Sequence, residues 1–247
     1  WSKGAHTFED MTNISKETRT MLEANFVINH IKVDNMQRSS DGTVKNAVRL
    51  HDDLIVESVL IPTKTRTTAC VSSQVGCSLD CTFCATARLK RMRNLQPDEI
   101  YDQVVAIDKE SRLYYNRPLS NIVFMGMGEP LANEEPVWES IVRIHDDLGL
   151  SARHLTVSTV GIVPGINRLA SRPLPVNLAV SLHAANDSLR DALVPINRRY
   201  PIKALMEACS NFLESKNRRL TFEWALISEV NDKPSDAIEL AQLCRSF

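Results

Sequence analysis

Residues 76–84 read GCSLDCTFC and place Cys77, Cys81 and Cys84 in the spacing C-x3-C-x2-C. They follow RTTACVSS, which we expect to be a strand, so the three thiols fall in the loop after it. A structural zinc site usually has four ligands in two close pairs, and an ordinary iron–sulfur cluster has four cysteine thiolates. Three cysteines in one loop therefore indicate a four-iron cluster with one iron open to a ligand. The alternatives are three unrelated thiols or a zinc site completed by a histidine.

The composition is that of a globular protein with one large domain. The 247 residues are 43% hydrophobic and 24% charged, and the net charge of -1 lacks the basic excess of a dedicated nucleic-acid binder. No apolar run approaches the length of a membrane span, and six unevenly clustered cysteines do not suggest a secreted disulfide framework. We expect a cytoplasmic monomer with no membrane contact. The chain begins without Met and ends inside a helical pattern, which predicts a piece of a longer protein.

From residue 66 onward, five strand patterns alternate with five helix patterns, which predicts a parallel α/β fold. The strand VNLAVSLH, residues 176–183, puts apolar side chains on one face and small or polar ones on the other. A curved sheet around a polar interior explains this alternation better than a flat sheet covered on both faces. We therefore predict a partial barrel over residues 66–247. Residues 1–65 are predicted to be a small α+β extension, with a helix capped by Ser15 and a β-hairpin.

The segment GMGEP, residues 126–130, follows the second of these strands. Glycine lets the backbone approach a ligand closely, and the Glu129 carboxylate can accept a hydrogen bond from an amine. The carboxyl edge of parallel strands is where α/β proteins bind ligands. The segment is either part of a ligand site or an ordinary glycine-rich turn.

Together these motifs resemble the RlmN/Cfr family of radical S-adenosylmethionine RNA adenine methyltransferases. The resemblance rests on CVSSQVGCSLDCTFCATA, FMGMGEPLAN, VSTVGIVPGI, AVSLHAANDSLRDALVPIN and EVND, which occur in the family's order. It implies a TIM-like partial barrel of six βα units, five of them visible here. It also implies methylation of adenosine at C2 in 23S ribosomal RNA and in some transfer RNAs, through a 5′-deoxyadenosyl radical. The alternatives are C8-directed methylation, a radical enzyme on another substrate, and a non-catalytic iron–sulfur or RNA-binding fragment.

The resemblance also implies the site residues. Cys77, Cys81 and Cys84 would hold a [4Fe–4S] cluster whose open iron binds S-adenosylmethionine. The cofactor would be lined by Gly128, Glu129, Ser158, Ser181, Leu182, His183 and Asn231. The period-2 pattern independently places Ser158, Ser181 and His183 on the interior face of the sheet. Each of these three side chains, taken singly, is more often a satisfied buried polar group than a ligand.

Two further residues match catalytic positions of the family. Cys70 would resolve a covalent protein–RNA intermediate, and its alternative role is that of a small buried hydrophobic residue. Glu57 would be the proton acceptor. It shares a strand face with Ile55, Val59 and Ile61, and a carboxylate among apolar neighbours suits a base that works near neutral pH. A solvated glutamate on an edge strand is the alternative.

Besides RNA, the resemblance implies one partner, an electron donor such as a flavodoxin. It also implies a second essential cysteine near the C-terminus of the same protein, which carries the methyl group. The sequence ends before that cysteine is expected, and Cys209 and Cys244 lie on amphipathic helices where we predict structural roles. We therefore expect this chain to bind the cluster and cleave S-adenosylmethionine without completing methyl transfer. A basic run, Arg88, Lys90, Arg91 and Arg93, would bind phosphate at the mouth of the site or form a solvated loop.

Overall fold

The computed structural model describes residues 5, 7–245 and 247, so residues 1–4 and 6 of the predicted extension lie outside it. The described chain forms an eight-stranded sheet and a separate two-stranded ribbon. In chain order the strands are β1 (Lys32–Arg38), β2 (Val44–Arg49), β3 (Ile55–Pro62), β4 (Thr67–Cys70), β5 (Gln74–Val75), β6 (Arg93–Asn94), β7 (Asn121–Phe124), β8 (Leu155–Thr159), β9 (Asn177–Ser181) and β10 (Leu220–Glu223). The α-helices are α1 (Lys16–Asn25), α2 (Ala85–Arg88), α3 (Pro97–Tyr115), α4 (Glu134–Asp147), α5 (Val163–Ser171), α6 (Asp187–Leu193), α7 (Ile202–Lys216) and α8 (Pro234–Cys244). Short 3-10 helices lie at Pro130–Ala132, Ala152–His154 and Pro195–Arg198.

The large sheet has the order β1-β2-β3-β4-β7-β8-β9-β10. Strands β4, β7, β8, β9 and β10 are parallel, whereas β1 to β4 pair antiparallel. At least one helix of nine or more residues follows each parallel strand along the chain, which confirms the five predicted βα units. The N-terminal segment extends the first edge of this sheet instead of forming a separate layer. The predicted boundary between residues 65 and 66 stays a prediction, because the sheet continues through it.

The two faces of the parallel strands differ as the alternation predicted. Ile122 and Phe124 of β7 and Leu155 and Val157 of β8 belong to the main apolar core and are fully buried. On the other face, residues of β4, β7, β8, β9 and β10 line one shared cavity of about 700 Å³. Strands that are distant in the sheet order can line one cavity only if the sheet curls. The partial barrel with a polar interior is therefore confirmed.

Local signals set the ends of the helices. Helix α1 begins after Ser15, whose hydroxyl accepts the N–H of the third helical residue at 3.2 Å, as predicted. Helix α3 begins at Pro97, and the Glu99 carboxylate accepts the N–H of Gln96 at 2.9 Å to form half of a capping box. It ends at Asn116, whose left-handed φ of 49° stops the helix. These caps fix where each of the two helices begins and where α3 ends.

Three elements carry too weak a sequence signal to be predicted. Strand β1 is exposed at every position, so it lacks the apolar alternation that marks a strand. Helix α6 is only seven residues long, and the β5–β6 ribbon has two residues a side. None of the described helices combines the length and apolar character that crossing a membrane requires.

Candidate active site

The cysteine loop, residues 76–84, follows β4 and the short β5 at the carboxyl ends of the parallel strands and packs against the end of α6. Cys81 is 9% exposed and packs in a small apolar cluster with Ala184, Leu193 and Val194. The N–H of Thr82 donates to the carbonyl of Leu193 at 3.1 Å. Since α6 follows β9, two distant parts of the barrel hold this loop in place.

Two of the three thiols, Cys77 and Cys81, have raised pKa values. Burial raises the pKa of Cys81 to about 12, and the neighbouring cysteines and Glu129 contribute to the rise. Burial also raises the pKa of Cys77, with added effects of Glu129 and Cys84. Thiols held this way ionise when a bound cation takes the place of the proton.

Within the described part of the chain, no three His, Cys, Asp or Glu side chains converge to hold a single metal ion. A four-iron cluster does not need such convergence, because each thiolate binds a different iron. Three thiols from one loop are the donor set of a four-iron cluster with one open iron, whereas a structural zinc site takes four ligands, and Cys77, Cys81 and Cys84 are the residues that would hold the cluster.

The GMGEP segment is a tightly packed loop after β7, and its Met127, Glu129 and Pro130 are buried. Gly128 has a φ of +97°, and a Cβ there would lie 2.5 Å from the Cβ of Gln74. Gln74 accepts the N–H of Glu129 at 2.9 Å through its side-chain oxygen. The second glycine of the GMG turn is thus required by close packing, and the loop is more than a surface turn.

Glu129 is 2% exposed and presents a carboxylate to the interior. It accepts the N–H of Leu131 at 3.1 Å, the N–H of Val160 at 2.9 Å and a hydrogen bond from the Thr159 hydroxyl. Burial raises its pKa to about 7, although these hydrogen bonds oppose the rise. A carboxylate has about four acceptor positions, so Glu129 retains capacity for a donor on a ligand.

His183 is 7% exposed and adopts a left-handed φ of 61° just after β9. Its Nδ1 accepts the N–H of Ala225 at 3.0 Å, so the neutral ring carries its proton on Nε2. Burial lowers its pKa to about 4, and the charge of Arg190 adds to this effect. Its ring meets Phe83 of the cysteine loop edge-on, with centroids 4.7 Å apart.

Asn231 lies beside His183, but its side-chain amide is hydrogen-bonded within the protein. Its amide donates to the carbonyls of His183 and Ala225, both at 2.9 Å. Its Oδ1 accepts the N–H of Ile227 at 2.7 Å. Asn231 therefore pins the loop after β10 to the end of β9, and this brings it next to the predicted cofactor residues.

The other predicted cofactor residues lie on different faces of the sheet. Ser158 is buried and Ser181 half-buried on the interior face, next to the ends of β8 and β9. The side chain of Leu182 belongs to the apolar core on the opposite face. It offers a ligand only its backbone, whose carbonyl accepts from Arg190 at 3.0 Å.

Comparison with known proteins identifies the family. The radical SAM superfamily model matches residues 71–241. A probable dual-specificity RNA methyltransferase RlmN of Christiangramia forsetii is 60% identical over 247 residues, which is 99% of this chain and 70% of that protein. The corresponding protein of Cytophaga hutchinsonii is 48% identical over 249 residues, covering 100% and 68%. The chain belongs to the RlmN family of the radical SAM superfamily.

The crystal structure of a radical SAM methyltransferase from Sphaerobacter thermophilus superposes with a TM-score of 0.92 at 43% identity. The match covers 98% of this chain and 72% of the other. The partial barrel is therefore the radical SAM fold, and the cysteine loop lies at the carboxyl end of its first parallel strand, where α/β folds bind ligands.

Arg190 is a buried residue of this RlmN-family site that the sequence did not single out. It is fully buried, and its guanidinium donates to neutral oxygens: Leu182 O at 3.0 Å, Asn197 Oδ1 at 2.7 Å and Val160 O at 2.5 Å. Burial lowers its pKa to about 10, while the nearby Cys81 thiol opposes that shift. Through these bonds Arg190 holds α6 against the ends of β8 and β9. The cysteine loop packs against α6 in turn. The sequence signal for its burial was its position among the apolar residues of SLRDALVPIN, residues 188–197.

Cys70 and Glu57 lie on the interior face, on neighbouring strands. Cys70 pairs with Val59 in the β3–β4 register, so Glu57 is its diagonal neighbour. Burial raises the pKa of Cys70 to about 11, partly offset by the N–H of Met125. The thiol is therefore protonated at neutral pH unless a base removes its proton.

The apolar surroundings expected for Glu57 are wrong. Its side chain is 51% exposed and forms an ion pair with Lys45 at 2.9 Å. Ile55 and Ile61 on the same face are also exposed. The strand pattern predicted the neighbours of Glu57 along β3, but Lys45 on the adjacent strand β2 determines its environment.

The predicted basic run does not act as one unit. Arg93 is half-buried and forms ion pairs with Asp52 at 2.6 Å and Glu99 at 2.7 Å, so it is structural. Arg88 and Lys90 are exposed beside the cysteine loop, as is Arg91. Only these three side chains of the run are placed to meet phosphate.

Proposed function

We propose that this chain is the core of an RNA methyltransferase that methylates adenosine at C2 in 23S ribosomal RNA and in transfer RNA. The observation that supports this most strongly is the gathering of three thiols, Glu129 and His183 at one edge of the parallel strands. In an RlmN-family chain, this is the arrangement expected around a [4Fe–4S] cluster and S-adenosylmethionine. A flavodoxin-type electron donor and a monomeric, cytoplasmic protein complete the proposal.

Different residues of the chain bind the cluster and S-adenosylmethionine. Cys77, Cys81 and Cys84 would hold the cluster, which when bound supplies the single electron for reductive cleavage of S-adenosylmethionine. Glu129 accepts a hydrogen bond from the ammonium group of the methionine part, because it is buried and its three protein donors leave an acceptor position free. His183 packs against the cysteine loop and keeps this part of the site dry.

Cys70 and Glu57 serve the RNA side of the reaction. The buried Cys70 thiol is a poor nucleophile until it loses its proton. Glu57 is diagonal to it across β3 and β4, a separation of roughly 7 Å between such neighbours, which a bridging water or the substrate spans. Lys45 forms an ion pair with the Glu57 carboxylate at 2.9 Å and so holds its position on β3.

The experiment uses the full gene product with its cluster reconstituted anaerobically. It is reduced in the presence of 23S ribosomal RNA fragments, transfer RNA and S-adenosylmethionine with a deuterated methyl group. Nucleosides from the digested RNA are separated and identified by mass spectrometry. We expect labelled 2-methyladenosine in both RNAs. Labelled 8-methyladenosine would overturn the C2 assignment, and unlabelled RNA with consumed S-adenosylmethionine would favour another substrate.

A further inference from the structure

The interior cavity opens at the edge of the barrel opposite the cysteine loop. Its lining there comes from residues just before the parallel strands begin. Arg66 precedes β4, Arg153 precedes β8, and Arg218 and Arg219 precede β10. We call these four arginines the basic mouth. Because this edge holds the amino ends of the strands, it is separate from the predicted cofactor site.

The charges of the basic mouth are not balanced by carboxylates. Among the described residues, none of its arginines takes part in an ion pair. The cavity lining includes one acidic residue, Glu223. Arg218 donates to Asn177 Oδ1 at 3.0 Å, but its buried Nε has no partner. Like charges gathered without counter-ions repel one another, and a bound anion relieves that cost.

The cavity connects this mouth to the reactive side of the barrel. Its inner wall includes Val123 and Met125. Val123 pairs with Cys70 in the β4–β7 register, and the N–H of Met125 points at the Cys70 thiol. A ligand that enters at the arginines therefore reaches the level of Cys70.

Size and chemistry narrow the class of ligand. A volume of about 700 Å³ suits a nucleotide-sized group. The walls carry small hydroxyl side chains, Thr68, Thr156 and Thr221, which suit a polar base more than an apolar ligand. Guanidinium groups bind phosphate with two parallel hydrogen bonds, so arginines suit phosphodiesters in particular. The net charge of -1 for the whole chain hides this local positive surface.

We infer that the basic mouth binds the phosphodiester backbone of the substrate RNA, so that the target nucleotide enters the barrel from the amino ends of the strands and reaches Cys70 from that side. This inference rests on the proposed function, which makes RNA the substrate. It assigns the entry edge and the phosphate-binding residues of that substrate. Arg88, Lys90 and Arg91, at the opposite edge, mark the competing entry route.

The test measures binding of a fluorescent RNA stem-loop to the reconstituted full gene product by anisotropy, over a series of salt concentrations. The mouth variant is Arg153→Gln with Arg219→Gln, since both side chains are exposed and tolerate substitution. The control is Arg112→Gln with Arg143→Gln, which removes the same charge from arginines already paired with carboxylates on the outer helices. We expect the mouth variant to lose about tenfold or more in affinity and to show a salt slope lower by about one per lost phosphate contact. The control should match the wild type.

A third variant, Arg88→Gln with Arg91→Gln, tests entry at the cysteine-loop edge. If it loses affinity while the mouth variant binds like the wild type, the inference is overturned and the RNA substrate stands. If the mouth variant and the paired control lose affinity equally, general charge explains the effect and the inference is also overturned. If the wild type binds no RNA at all, the proposed function fails and the inference fails with it.

Discussion

Replacing Gly128 with alanine should destabilise the fold far more than the same change at Gly149. Both glycines have positive φ values, +97° and +67°, so both variants carry backbone strain of about 1–2 kcal/mol. At Gly149 a new Cβ meets nothing within 4 Å. At Gly128 it lies 2.5 Å from the Cβ and 2.8 Å from the backbone N of Gln74. Comparing the two variants therefore separates the cost of backbone strain, which both carry, from the cost of steric crowding, which only Gly128→Ala carries.

The size of the Gly128→Ala destabilisation follows from the packing and the hydrogen bond that Gln74 loses. Overpacking against a buried side chain costs about 1–3 kcal/mol. Gln74 is 1% exposed, and moving it breaks its hydrogen bond with the N–H of Glu129, which contributes about 0.5–1.5 kcal/mol. With the backbone strain, Gly128→Ala should lose about 3–6 kcal/mol of unfolding free energy and Gly149→Ala about 1–2 kcal/mol.

The assay is equilibrium urea unfolding of the cluster-free protein, followed by circular dichroism at constant pH. The midpoints of the two variants are compared with that of the wild type, together with the slopes that report compactness. Equal losses for the two variants would refute the claim that the GMGEP loop is packed against Gln74. A Gly128→Ala protein as stable as the wild type would refute the loop geometry itself.

Three further predictions concern buried groups. Arg190→Met should lower the unfolding free energy by about 3–5 kcal/mol in urea titration, because the carbonyls of Val160 and Leu182, just after β8 and β9, lose their buried donor. A loss below about 1 kcal/mol would contradict the role given to Arg190. Glu129, with a pKa raised to about 7, keeps its proton in the fold at pH values where the unfolded chain has lost it. The stability of the wild type relative to Glu129→Gln should therefore fall by roughly 3 kcal/mol between about pH 4 and pH 8, and a flat difference would refute the burial of this carboxylate. Cys209→Ala should cost about 1–2 kcal/mol through the cavity it leaves, with the iron content after reconstitution unchanged; lost iron would show that Cys209 is more than a core residue.

Period and spacing predicted most of the barrel because each parallel strand has an apolar face and a small polar one. That alternation alone placed Ser158, Ser181 and His183 on the interior face. The spacing of Cys77, Cys81 and Cys84 likewise predicted an iron–sulfur cluster in this loop. These signals are local, so one stretch of sequence is enough to read them.

Contacts between distant segments could not be read in this way. Glu57 has apolar neighbours along β3, but Lys45 on β2 decides its environment. Arg190 lies in a short helix where a charged side chain is normally exposed, and only the packing of α6 under the cysteine loop buries it. The basic mouth is scattered over residues 66–219 and comes together only when the sheet curls. Register and curvature are properties of the whole fold.

The central claim is that Cys77, Cys81 and Cys84 hold a four-iron cluster that works on S-adenosylmethionine. The most direct measurement is anaerobic reconstitution with iron and sulfide, followed by reduction with S-adenosylmethionine and chromatography for 5′-deoxyadenosine. We expect about four irons per chain and product from the wild type and from Cys209→Ala, with neither from Cys81→Ala. Undiminished product from Cys81→Ala, or a wild-type chain that takes up no cluster, would contradict the assignment of the cysteine loop.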